Sequence, residues 1–124
     1  MITPVYPAGR PRPEGHYAPA VVHGGCVYVS GTLPDTPATA TANSTFDEQM
    51  DSLLRSCDEV LRAAGSRRDK VISLTLYVTD IETWDAANLA LAGFFGVHRP
   101  ARSIICVPMI RKGYAVQATL IAAI

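Results

Sequence analysis

Hydrophobic and polar positions along the chain change period several times, and each change marks an element. Ala18 to His23 reads as a short strand, Gly24-Gly25 as a tight hairpin turn, and Cys26 to Gly31 as the returning strand. Phe46, Met50, Leu53, Leu54, Cys57, Val60, Leu61 and Ala64 recur at helical spacing. Ser44 or Thr45 can cap that helix, Glu48 stands three places after Thr45 as a capping box requires, and Gly65 closes it. Val71 to Thr79 alternates, with Ile72, Leu74, Leu76 and Val78 pointing one way and Ser73, Thr75, Tyr77 and Thr79 the other. A second helix, roughly residues 83–95, carries Trp84, Ala87, Leu91 and Phe94 along one stripe, so Trp84 and the Phe94-Phe95 pair read as core. Two strands finish the chain, Ser103 to Val107 and Tyr114 to Ala123. The Pro- and Gly-rich residues 1–16 read as an irregular arm and residues 32–43 as a loop.

The order is ββαβαββ, with no internal repeat or linker, which predicts one domain over residues 1–124. It is a two-layer α+β domain with both helices on one face of the sheet. The other face would then lie bare. Its side chains (Thr75, Tyr77, Ile104 or Ile105, Ala118 or Thr119) are small, hydroxylic or apolar, which suits association with further copies.

Eleven basic and eleven acidic residues cancel, so charge gives no reason to expect a nucleic acid or an anionic membrane as partner. No apolar run approaches the roughly 20 residues a membrane helix needs, and no secretion signal is visible, so the chain reads as cytoplasmic. Cys26, Cys57 and Cys106 lie singly in apolar patterns and read as buried free thiols. His16, His23 and His98 show no ligand spacing, so no metal is expected.

The chemistry concentrates in Pro100-Ala101-Arg102-Ser103, which runs into the apolar Ile104-Ile105-Cys106-Val107. An arginine opening a buried strand is costly unless an anion meets it, and its planar fork grips a carboxylate through two parallel hydrogen bonds. A structural salt bridge or a solvent-facing strand end would use the same residue.

Five segments together resemble the RidA/YjgF/UK114 family of enamine/imine deaminases over nearly the whole length. They are Gly15-His16-Tyr17-Ala18-Pro19-Ala20-Val21, Val27-Tyr28-Val29-Ser30-Gly31, Leu76-Tyr77-Val78-Thr79-Asp80-Ile81, Asn88 with Phe94-Phe95, and the Pro100 to Ser103 core. The resemblance implies a chorismate-mutase-like (YjgF-like) fold and a homotrimer whose sheets surround a central β-barrel, with sites in the clefts between neighbours. It also implies cofactor-free hydrolysis of small 2-imino or 2-enamino carboxylic acids to the 2-keto acid and ammonia. Arg102 would hold the carboxylate, Tyr17 and Ser30 would line the pocket, and backbone near Gly31 and Ile104 would bond the reacting end.

The chain departs from the family pattern at Gln117, where typical members carry the glutamate thought to position water, and at Thr119, which matches a later glutamate. Glutamine orients water but exchanges no proton. Ile104 stands where many members have cysteine, with Cys106 two places on along the same strand face, and Thr32 where glutamine is common.

Each of these residues also has a plainer use. Tyr17 can be a packing tyrosine, Ser30 can bond local backbone, and Gln117 can meet a neighbouring subunit. Cys106 reads as core rather than nucleophile, and Asn88 as bonding a loop. The rival functions are a re-shaped cleft for a larger substrate in a specialised catabolic or biosynthetic pathway, and a non-catalytic trimer that binds small acids. The translation-inhibitor and ribonuclease labels attached to this family sit poorly with zero net charge and no basic stripe.

Overall fold

Alternation along the strands and the 3.6-residue stripe of the long helix meet in one layer of side chains, and that layer organises the computed structural model of residues 1–35 and 40–124. The elements are β1 (Thr3–Val5), β2 (Ala20–His23), β3 (Cys26–Thr32), α1 (Phe46–Ala63), β4 (Val71–Val78), α2 (Trp84–Phe95), β5 (Ala101–Cys106) and β6 (Val116–Ala123). The six strands form one sheet in the order β1-β2-β3-β6-β4-β5, antiparallel except for β4 and β5. The predicted α+β architecture is therefore present. The last strand of the chain inserts at the centre, between β3 and β4.

Helix α1 starts where the capping box sets it. The Glu48 amide donates to Thr45 Oγ1 at 3.1 Å, and the Thr45 amide donates to Glu48 Oε1 at 2.9 Å. Its inner face buries Met50, Leu53, Cys57 and Leu61 in a cluster with Val27, Leu76, Val116, Ala118 and Ala122 of the sheet. Gln49, also buried, ties the helix start to the entry of β6: the Ala115 amide donates to its Oε1 at 2.9 Å, and its Nε2 donates to the Ser44 carbonyl at 3.1 Å. The β2–β3 hairpin turns through Gly24 and Gly25 at φ 58° and 78°, values that an L side chain resists.

Several expectations change. The arm is not wholly irregular: β1 pairs with β2, and Arg10 bridges to Glu59 of α1 at 2.7 Å. Ile72 does not join Leu74, Leu76 and Val78 inside. The β4–β6 register slips between Val71 and Ser73, so Val71 is buried and Ile72 bulges outward. Trp84 is 38% exposed and not core. Of the three cysteines only Cys57 is buried; Cys26 is partly covered and Cys106 exposed. The expected loop of residues 32–43 includes residues 36–39, which lie outside the described residues.

The described strands carry one charged side chain, Arg102. On the face away from the helices stand Tyr28, Thr75, Tyr77, Ile105, Gln117, Thr119 and Ile121. That resolves the open alternatives: Ile105 and Thr119 face out, while Ile104 packs on the core and Ala118 is buried.

Candidate functional site

Strand β5 lies at the sheet edge, parallel to β4, with Leu74 beside Arg102, Leu76 beside Ile104 and Val78 beside Cys106. Side-by-side partners share a face, so Arg102 stands on the helix side, level with α2. There its Nη1 donates to Asn88 Oδ1 at 2.7 Å, and the guanidinium carbon sits 5.2 Å from the centre of the Trp84 ring. Asn88 therefore bonds Arg102 rather than a loop. No ion pair among the described residues includes Arg102. A neutral amide and an aromatic face orient the guanidinium without neutralising it, and most of its five N–H donors stay available for a carboxylate. The salt-bridge alternative does not hold.

Ile104 contributes an apolar side chain to the core and edge-strand backbone to the surroundings. Cys106, expected in the core, is exposed at the end of β5.

Four other candidates gather around a bulge in β3. Val29 pairs with Leu120 and Thr32 with Ala118, so one extra residue of β3 stands at Ser30-Gly31. The Ser30 hydroxyl donates to the Ala18 carbonyl at 2.6 Å, and its amide donates to the Pro19 carbonyl at 2.9 Å. The serine thus fastens the segment after Tyr17 and keeps only acceptor capacity for a ligand. Tyr17 is 51% exposed. At Gly31 an added Cβ would come within 2.5 Å of Gln117 Nε2, so the missing side chain leaves the space in which the glutamine amide lies. Gln117 is paired in register with Tyr77, and Thr119 with Thr75. Thr119 is two residues further along the open face, level with Thr75.

These two groups do not converge within one chain. β3 and β5 are separated by β6 and β4, so strands spaced about 4.8 Å apart put them about 14 Å apart. Tyr17, Ser30 and Gly31 line a cavity of about 410 Å³ between the arm and α1, which contributes Ser56 and Val60 to its lining. Arg102 and Asn88 border a separate, shallow hollow of about 460 Å³ with Phe95, His98 and Arg99.

Sequence reasoning missed the link from Asn88 to Arg102, and also the meeting of Arg10 and Arg12 with Arg111 and Lys112 around the first cavity. No local signal carries the second meeting, because a hundred residues separate its parts. Among the described residues no group of three His, Cys, Asp or Glu side chains is placed to hold a metal, and no helix is long and apolar enough to cross a membrane.

The model of the family described as Endoribonuclease L-PSP matches residues 8–124. The chain belongs to this family. It is the RidA/YjgF group that the five segments resemble, and curated relatives carry the name RutC. The RutC family protein y4sK of Sinorhizobium fredii is 34% identical over 118 residues, covering 94% of each chain. Among solved L-PSP structures, RidA from the Antarctic bacterium Psychrobacter is 26% identical with a TM-score of 0.88, covering 97% of this chain and 98% of that one. E. coli TdcF with bound serine is 25% identical with a TM-score of 0.89, covering 98% of both.

Proposed function

We propose that this L-PSP family protein is a cofactor-free hydrolytic deaminase of small 2-imino and 2-enamino carboxylic acids. It works as a homotrimer in the cytoplasm, and its site is completed between neighbouring copies. The observation that carries the reading is Arg102: the one charged side chain in the described strands, oriented by Asn88 and Trp84 and paired with no carboxylate. The uncharged open face and the 14 Å gap between half-sites support assembly, since a second copy can bring its Arg102 to the Tyr17–Ser30–Gly31 half. A relative that holds serine agrees with a small amino-acid-like ligand.

In this reading Arg102 grips the carboxylate through two parallel hydrogen bonds. Tyr17 covers the carbon chain, and backbone at Gly31 and Ile104 bonds the nitrogen end. Water adds to C2 of the imine and ammonia departs, leaving the 2-keto acid. The Gln117 amide, with no side-chain hydrogen bond among the described residues, orients that water through Oε1; it takes up no proton, so the water proton passes to the substrate nitrogen. Such imines already hydrolyse in water, and each tenfold acceleration needs only about 1.4 kcal/mol.

The test is release of ammonia and keto acid from 2-iminopropionate generated in situ. Wild type should exceed buffer, and Arg102→Ala and Arg102→Lys should both lose the excess, because lysine lacks the planar fork. A wild-type rate equal to buffer refutes the activity for that substrate. Gln117, an amide where an acid–base group is expected, favours a second reading, a trimer that binds small acids without turning them over. Saturable keto-acid binding with no product from any imine would select it. Binding that needs a larger acid would point to a re-shaped cleft in a specialised catabolic or biosynthetic pathway.

A further inference from the structure

The cavity beside Tyr17 holds more positive charge than a one-carboxylate ligand needs. Four cationic side chains line it: Arg10 and Arg12 from the arm, and Arg111 and Lys112 from the turn before β6. Two carboxylates, Glu14 and Asp35, stand against them, and Asp35 already receives Lys112 Nζ at 3.0 Å. Arg12 and Arg111 take part in no ion pair among the described residues.

Arg12 is held instead by stacking, its guanidinium carbon 4.0 Å from the centre of the Tyr6 ring. Stacking uses the face of the guanidinium and leaves its edge of N–H donors open. Arg10 spends Nη2 on Ser56 Oγ at 3.2 Å and Glu59 Oε2 at 2.7 Å, while its Nε–H is buried with no acceptor. Arg10 is thus committed to α1, and Arg12 and Arg111 are the cations of the lining left for an acidic oxygen. The volume of about 410 Å³ suits a small organic acid.

We propose that this cavity is a subsite for a second carboxylate, so that the ligand is a dicarboxylic 2-imino or 2-keto acid. Its distal carboxylate lies against Arg12 and Arg111. The inference rests on the reading of Tyr17, Ser30 and Gly31 as half of the substrate site, since the same cavity contains them, and on Arg102 of another copy for the first carboxylate.

The experiment is titration calorimetry on the whole protein with two keto acids, 2-oxobutanoate with one carboxylate and 2-oxoglutarate with two. Wild type should bind 2-oxoglutarate at least tenfold more tightly. Arg12→Gln combined with Arg111→Gln should erase that preference and leave 2-oxobutanoate binding unchanged; both are surface positions, so the fold should survive, as an unchanged Tm verifies. Arg102→Ala should weaken both acids alike. If Arg102→Ala changes neither while 2-oxoglutarate still depends on Arg12 and Arg111, the subsite stands and the Arg102 reading falls. Equal binding of the two acids, no binding of either, or a preference that survives the double substitution overturns the subsite.

Discussion

Gly31→Ala isolates the contact between the β3 bulge and the Gln117 amide. Gly31 does not use a left-handed backbone, so alanine fits its φ and ψ without strain. The obstacle is Gln117 Nε2, 2.5 Å from the new Cβ, and the next atom, Gln117 Cδ, already stands at 3.6 Å. Only the end of one flexible side chain must retreat, by about 1 Å to reach an ordinary contact distance. Pushing a side chain off its rotamer costs about 0.5–1.5 kcal/mol. Alanine for glycine at a compatible position returns about 0.4–1 kcal/mol by restricting the unfolded chain. The two nearly offset each other. With an unfolding entropy of about 0.26 kcal/mol/K for 124 residues, Tm should move by no more than about 4 °C. Turnover is more sensitive, because a group misplaced by about 1 Å can cost about a hundredfold. The assay is a double-mutant cycle of thermal melts and imine hydrolysis with Gly31→Ala, Gln117→Ala and the pair. Once Gln117 is truncated, Gly31→Ala should cost nothing further. An equal loss of rate in both backgrounds refutes the argument, because the alanine would then act on something other than the amide.

Four further outcomes test the framework. Thr45→Ala removes the cap of α1 and should cost about 1 kcal/mol in denaturant melts, about 4 °C in Tm. Hydrogen bonds from the Thr45 backbone and side chain hold the Glu48 carboxyl below its ordinary value, so its stabilisation is present above the unfolded value near 4.5 and fades as pH falls through the lower folded value. Melts should accordingly show wild type and Glu48→Gln differing at pH 6 and converging by acid pH; a gap that widens on acidification would contradict this. Leu76→Ala empties a fully buried position beneath α1 and should cost about 2–5 kcal/mol, whereas Ile72→Ala at the outward bulge should cost less than half as much. In thiol titration the exposed Cys106 should react in the native protein, while Cys57, pushed up to about 12 by desolvation, should react only on unfolding; native labelling at Cys57 would refute its burial.

Much of the scaffold was legible in the chain because it depends on neighbours in sequence. Thr45 and Glu48 cap α1 through bonds spanning three residues, Gly24-Gly25 turns a hairpin by its own backbone freedom, and alternation from Leu74 to Val78 assigns faces without reference to any partner strand. The motif around Arg102 likewise marked the one charged side chain of the described strands. Tertiary structure decided what depends on register and distance. Two one-residue bulges, in β4 and in β3, turned Ile72 outward and put an extra residue at Ser30-Gly31, and alternation alone cannot register such slips. The insertion of β6 between β3 and β4 set Gln117 against Gly31 and drew Arg111 toward Arg10 and Arg12, pairings that span some 90 to 100 residues. It also placed Arg102 far from Ser30, because strand order is a property of the assembled sheet. Local chemistry was written in the sequence; which local chemistries meet was settled only when the last strand took its place in the middle.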